Sequence, residues 1–479
     1  MTAALLELDA TAQLSALASK RVSAMDLLKA ALARHEATHA KINAVVAADL
    51  ERALERAAAI DDLRARGEPI GPLAGLPMTI KDTLDVAGMP ASSGLEGYRR
   101  RQAEDAVAVA HARHAGAVIW GKTNTPVLAG DWQTYNSLYG TSNNPWDASR
   151  TTGGSSGGAA AALAARVTAL EIGSDIGGSL RVPASFCGVF SHKPTWGLVT
   201  QHGHVPPSPG SWAERDLNVI GPMARSARDL RLLLSVIADS PIAATAPPAD
   251  LAETRLALWL DDPLLRLDPE ARAVIETFAR QLADAGAQVE TISSPVNMDV
   301  LLHAYVTLLG GVLAEDMPAG ALRAMELVRP LASRALKRGA GPFSNPAMAM
   351  AYTCRHKEWA AADAVRMRLI HELEAVFDKF DAIIAPITPL PAFPHDHAPM
   401  NRRRLRFSDG GAAPYVSMLG WIGLATACRL PATAVPAGRT AEGLPVGVQI
   451  IGPHAGDSRT LSIAQAIDVD VRGFEPPEL

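Results

Sequence analysis

The chain has 479 residues, with 45 Lys and Arg against 50 Asp and Glu (net charge −5), 48% apolar and 20% charged residues. This is globular composition with ample core material, and the small acidic excess argues against a nucleic-acid binder, whose mark is a basic surplus. Three widely spaced cysteines, Cys187, Cys354 and Cys428, indicate neither a disulfide framework nor a Cys-pair zinc site. At roughly 100–200 residues per domain, the length allows two to four domains or one large α/β layer structure.

The start of the chain, Met1 to Asp9, carries acids where a signal peptide carries lysine or arginine. No apolar stretch is read as reaching the ~18 residues of a membrane span. The longest candidate, Met418 to Cys428, is closed by Arg429 and Pro431. The expectation is a soluble protein of a reducing cytoplasm. The runs Arg99-Arg100-Arg101 and Arg402-Arg403-Arg404 read as solvated faces.

The first ~65 residues read as amphipathic helices; one has Met25, Leu27, Leu28, Ala31 and Leu32 on one face and Ser23 as N-cap before Asp26. From Gly71 onward, short β-rich runs alternate with helices: Met78 to Ile80 and Ala117 to Trp120 as strands, Glu104 to His114 as a helix between them. Residues 136–210 are dense in Gly, Ser, Asn and Pro, yet hold a small-residue helix, Ala159 to Ala165, and a strand, Ala169 to Ile172. Pro241 to Asp250 is the best linker. A β-α-β pattern follows it: strand Arg255 to Leu260, a helix entered at Asp268-Pro269, and strand Gln288 to Ile292. Residues 300–380 read as helical apart from a loop at Gly339 to Pro346, and late strands fall at Ala382 to Ile384 and Val446 to Ile451. Strands on both sides of the linker predict one continuous sheet and one large domain, with the linker as a surface crossing.

Four features compete for the chemistry. In Thr151-Thr152-Gly153-Gly154-Ser155-Ser156-Gly157-Gly158, glycines flank two hydroxyls and let the backbone come close to a ligand. Gly173-Ser174-Asp175-Ile176-Gly177-Gly178-Ser179 follows a strand and can aim successive N–H groups into a nest suited to an oxyanion, with Ser179 as a candidate nucleophile. Asp175 and Arg181 can pin that turn by pairing. In the run Gly75 to Asp82, Lys81 ends a strand whose other residues are apolar, and at such a buried lip desolvation lowers its pKa and makes it a candidate base. The fourth feature, Gly116 to Thr123, spells a Walker A loop, but its variable positions are themselves the strand and Asn124-Thr125-Pro126 stands where the helix would start. Gly153 to Gly157 likewise spells Gly-x-Ser-x-Gly without the feeding strand of a nucleophile elbow. His395-Asp396-His397 reads as solvated. No metal-ligand cluster or cofactor motif is read, so neither metal nor cofactor is expected.

Taken together, the first three features resemble the amidase signature family: Lys81, then the Gly-Gly-Ser-Ser-Gly-Gly run, then Gly-Gly-Ser, with Ser179 24 positions after Ser155. Asn144-Pro145-Trp146, Phe186-Cys187-Gly188, Lys193-Pro194-Thr195, Gly221-Pro222-Met223-Ala224 and Pro445-Val446-Gly447-Val448-Gln449 are similar to other landmarks of that family. The resemblance implies an α/β amidase-signature fold, one large mixed twisted sheet covered by helices on both faces. Within a single domain over 1–479 it places N-terminal helices at 1–65, a catalytic core at 70–235, a variable specificity region at 240–400, and a C-terminal sheet and helix at 430–479. It implies a Ser–cis-Ser–Lys triad, with Ser179 as nucleophile, Ser155 as the bridging serine on a cis peptide and Lys81 as general base. Backbone N–H groups of Ile176, Gly177, Gly178 and Ser179 would hold the oxyanion, and Ser156 would support the loop.

The implied activity is hydrolysis of a carboxylic acid amide through an acyl-enzyme. The expected partners are a small-molecule amide and, at most, a second copy in a homodimer, with neither nucleic acid nor a membrane. Val127 and Leu128, and Ser191-His192, depart from the family beside the triad and bear on substrate preference. The glutaminase component of glutamyl-tRNA amidotransferase, which hydrolyses glutamine and channels ammonia, is the rival within the family. Its usual Ser-Arg-Tyr-Gly stretch is replaced here by Trp196 to His204. Rivals of another class are a non-catalytic scaffold and a nucleotide-binding protein. Trp132, Tyr135, Tyr139, Trp146 and Trp212 are candidates for an apolar substrate pocket.

Overall fold

A computed structural model describes residues 2–479. Eleven strands build one sheet: β1 (Val45–Ala48), β2 (Pro77–Lys81), β3 (Val118–Thr123), β4 (Leu170–Asp175), β5 (Phe190–Lys193), β6 (Val219–Ala224), β7 (Arg255–Leu258), β8 (Gln288–Thr291), β9 (Ala382–Pro386), β10 (Ala432–Arg439) and β11 (Pro445–Ile451). Their spatial order is β1-β3-β2-β4-β6-β5-β10-β11-β9-β7-β8. Pairing is parallel for β3-β2, β2-β4, β9-β7 and β7-β8 and antiparallel elsewhere, so the sheet is mixed.

Helices cover both faces, which is why the central strands read as unbroken buried runs instead of alternating ones. Alternation persists in which core each residue joins. Ala382 and Ile384 of β9 pack on the face carrying the helices Ala227–Ile237, Pro269–Asp284 and Asp457–Asp470, while Ile383 and Ala385 pack on the face carrying Arg181–Cys187, Met298–Leu313 and Leu419–Ala427.

Local chemistry explains the element ends. Ser23 accepts from the Asp26 N–H at the start of Ala24–Ile42, and Asp268 accepts from the Glu270 N–H with Pro269 in the first turn. The helix after the Gly-Ser run, Gly157–Ala164, is buried at every position. Its small residues let neighbouring backbone reach it: a Cβ on Gly158 would lie 2.4 Å from the Asn124 nitrogen.

Strands β1, β5, β6 and β10 went unread in the sequence. β6 and β10 contain Pro222 and Pro436, which argue against a central strand; β10 accommodates its break through a register shift between Pro436 and Gly438. The span Met298–Asp316 corrects the reading that no apolar stretch is long enough for a membrane: it is long and apolar enough by length and composition. Here Leu301, Leu302, Tyr305 and Leu308 of that span are sealed in the core. The arginine runs also need correction. Arg403 is buried and pairs with Asp131 at 2.6 Å, and Arg101 pairs with Asp85.

Candidate active site

Lys81 ends β2 at the point where β4 runs beside it and where the Gly-Ser loop crosses. Its amine is sealed from solvent and donates to Ser155 Oγ at 2.7 Å and Ser174 Oγ at 2.9 Å. Burial pulls the Lys81 ammonium down to about 7, against the opposing pull of Asp175 and Glu171. A buried amine with two hydroxyls and, among the described residues, no carboxylate in hydrogen-bond contact is suited to work as a neutral base. Glu171 is itself buried and accepts from Thr79 at 2.5 Å, and burial lifts it to about 8.

The Gly154–Ser155 peptide is cis. The Ser155 carbonyl accepts from Thr125 Oγ1 at 3.1 Å, and the Ser156 N–H donates to the Ser179 carbonyl at 3.2 Å, so the two serine loops are stitched through their backbones. Ser156 Oγ also reaches the Ser174 carbonyl at 3.4 Å. Ser179 is 5% exposed where Lys81 and Ser155 are 0%, which places it on the solvent side of the three. Among the described residues no hydrogen bond joins the Ser155 and Ser179 hydroxyls.

The turn that carries Ser179 is built on the Asp175–Arg181 pair. Arg181 donates to Asp175 through Nε at 3.1 Å and Nη2 at 3.0 Å, and also reaches Thr426 Oγ1 and Gln449 Oε1. Burial pushes Asp175 up, but the Arg181 charge and the hydrogen bonds it accepts leave it below its ordinary value. Asp175 also takes the Gly178 N–H at 2.8 Å and the Leu180 N–H at 3.1 Å. This corrects the expected oxyanion hole: the Gly178 N–H is committed to Asp175. The N–H groups of Ile176, Gly177 and Ser179 have no such acceptor among the described residues. Gly178 sits at φ +91°, where a side chain would be strained.

The loop is held from outside by Trp132 Nε1, which donates to the Gly177 carbonyl at 2.7 Å, and by Tyr305, whose hydroxyl donates to the Ile176 carbonyl at 3.1 Å. A Cβ on Gly177 would lie 3.6 Å from Leu419 and 4.0 Å from Trp132, so the loop faces an apolar wall. Of the five aromatic candidates, Trp132 alone is seen in contact with this loop. Tyr135 stacks on His397, Trp146 donates to the Cys187 carbonyl, and Trp212 is 82% exposed and stacked on His202. His395 is half-buried, not solvated. His192 reaches Thr433 (2.8 Å) and Asp457 (3.0 Å). Lys122 of the Walker-like spelling lies inside β3, buried and paired with Asp82 at 2.6 Å.

The sequence reading missed Ser174, Glu171, His204 and Tyr305. Ser174 lies inside the Gly173 to Ser179 motif and Glu171 is an acid within an apolar strand, both usable signals; His204 and Tyr305 had none.

The fold and these motifs define an amide-hydrolase class of site, and the family model described as Amidase matches residues 26–461. The chain belongs to the amidase signature family, whose members include hydrolases acting on carbon–nitrogen bonds. It is similar to a glutamyl-tRNA(Gln) amidotransferase component (the A-type chain) of Picosynechococcus sp., at 33% identity over 94% of this chain and 96% of the relative. Among solved structures it resembles one described as a vestigial protein complex revealing the evolutionary origins of an s-triazine catabolic enzyme (29% identity, 98% and 99% of the two chains, TM-score 0.80). It also resembles an amidase (28% identity, 96% and 99%, TM-score 0.77).

Proposed function

We propose that this protein hydrolyses a linear carboxylic acid amide through an acyl-enzyme on Ser179. Lys81 takes the Ser155 proton while Ser155 takes the Ser179 proton, and Ser179 Oγ attacks the carbonyl carbon. The N–H groups of Ile176, Gly177 and Ser179 receive the oxyanion. Ser155 returns a proton to the leaving amine, and water then releases the acid. The relay needs the Ser179 hydroxyl to turn onto Ser155 when substrate arrives, a tightening that free enzymes commonly undergo. The observation that carries this reading is the 2.7 Å bond from the buried Lys81 amine to Ser155.

The apolar wall of Trp132 and Leu419 beside Gly177 favours an amide with a bulky apolar or aromatic group. Ester cleavage by the same acyl-enzyme is an expected side activity. One sheet drawing strands from both sides of the Pro241 to Asp250 linker supports a single domain. A panel of primary amide, anilide, ester and hydrazide substrates on wild type and Ser179→Ala tests the reading. Loss of turnover in the variant with the fold kept supports it; substantial residual turnover contradicts it, and activity confined to short polar amides contradicts the substrate class.

A second reading is favoured by the curated relatives named as components of a glutamyl-tRNA(Gln) amidotransferase. In that case the amide is glutamine and the ammonia goes to a partner. Glutaminase activity appearing only with partner proteins would select it.

A further inference from the structure

We propose that His204 is a positioning residue that fixes the direction of the Lys81 lone pair, acting through Ser174. This rests on the reading of Lys81 as general base and adds a residue to it.

The inference follows from donors and acceptors. His204 Nδ1 lies 2.7 Å from the Pro206 carbonyl, which can only accept, so Nδ1 carries the hydrogen. Burial, with the Lys81 charge, holds the His204 ring at about 3, so it is neutral at working pH and Nε2 is left as an acceptor. Nε2 lies 2.9 Å from Ser174 Oγ, and the Ser174 hydroxyl therefore points its hydrogen at His204. What Ser174 then offers Lys81, 2.9 Å away, is lone pairs alone. A neutral Lys81 must spend an N–H on Ser174, which leaves its lone pair for the Ser155 hydroxyl, 2.7 Å away, to which the charged amine donates. The chain of bonds runs Lys81 N–H to Ser174, Ser174 O–H to His204, His204 N–H to Pro206, each link setting the polarity of the next.

The His204 segment is held by backbone. Val205 N–H donates to the Thr83 carbonyl at 2.7 Å, two residues beyond Lys81, and Ser93 Oγ donates to the Val205 carbonyl at 2.8 Å. The ionisable groups that act on this chain are Lys81 and Arg215 on His204, and Asp175 and Glu171 on Lys81.

If His204 could not accept, the Ser174 hydroxyl would be free to donate to the Lys81 lone pair. That would stabilise neutral Lys81 while aiming it at the wrong hydroxyl. The test uses labelling of Ser179 by a fluorophosphonate, followed against pH, so that it does not depend on the natural substrate. His204→Leu should label about 10–100-fold more slowly on the plateau, the scale of a misaligned catalytic group, and its acid midpoint should move to lower pH. His204→Gln, whose amide oxygen can still accept from Ser174, should stay near wild type in both. A purely structural role predicts the opposite shift, because water entering a loosened pocket lets Lys81 return toward its ordinary, higher pKa.

An unchanged rate and midpoint in His204→Leu, or a midpoint moved upward, overturns the inference. Should His204→Leu not fold, His204→Met is measured alone and in Ser174→Ala. No added loss in that background supports coupling through the hydroxyl, and independent losses overturn it. Lys81→Met is run alongside: wild-type labelling in that variant would sink the general-base reading itself, separately from the role of His204.

Discussion

Lys81 and Lys193 end two strands of one sheet, both sealed from water, and burial brings each down to about 7. They differ in what their amines touch. Lys81 meets two serine hydroxyls, and one of them, Ser155, has a proton to give. Lys193 meets the carbonyls of Pro194 and Leu430 at 3.1 and 2.8 Å, which have none. A lowered pKa therefore makes a lysine available as a base, and the partner atoms decide whether there is anything for it to do. Lys122, one strand over from Lys81, completes the contrast, because its amine is held against the Asp82 carboxylate.

The contrast can be broken by substitution. Ser179→Ala and Lys81→Ala should each lower kcat by ~10³-fold or more, since members of a catalytic unit fail together. Ser155→Ala should fall somewhat short of that. Circular dichroism should report a retained fold in all three. Tyr305→Phe, which frees the Ile176 carbonyl, should cost about 1 kcal/mol in a denaturant melt, typical of one hydrogen bond, with a modest loss in kcat and little change in KM. Lys193→Met should leave kcat near wild type although it removes an equally perturbed lysine; a loss as deep as that of Lys81→Ala would erase the distinction drawn here.

Stability sharpens the same comparison. Each lysine has a folded pKa below its unfolded one, so between pH 7 and about 10.5 the unfolded chain binds more protons. Stability from these groups rises with pH across that window. Lys193→Met should flatten part of the rise in thermal melts taken from pH 7 to 10, and an unaltered slope would mean that the folded Lys193 titrates as an ordinary lysine.

The motifs around Lys81, Ser155 and Ser179 were legible because glycine, serine and a strand-end lysine leave a local pattern. The Asp175–Arg181 pair was legible for the same reason, six residues apart on one turn. His204 and Tyr305 were not, since tertiary contact alone brings them to the loop, across 30 residues to Ser174 and 129 to Ile176. The Gly178 N–H was misassigned because the motif shows that successive amides exist but not which of them a nearby carboxylate takes. The outline of one mixed sheet could be read from strands on both sides of the linker, while the proline-bearing strands β6 and β10 and the buried Met298–Leu313 helix could be placed only once their neighbours were known.

The most direct test of the account is the pH dependence of kcat/KM on an anilide substrate in wild type, Lys81→Met and Lys193→Met. The account predicts an acid limb with a midpoint near 7 in wild type, preserved in Lys193→Met, with activity all but lost in Lys81→Met. A limb that disappears with Lys193 and survives the loss of Lys81 would contradict it.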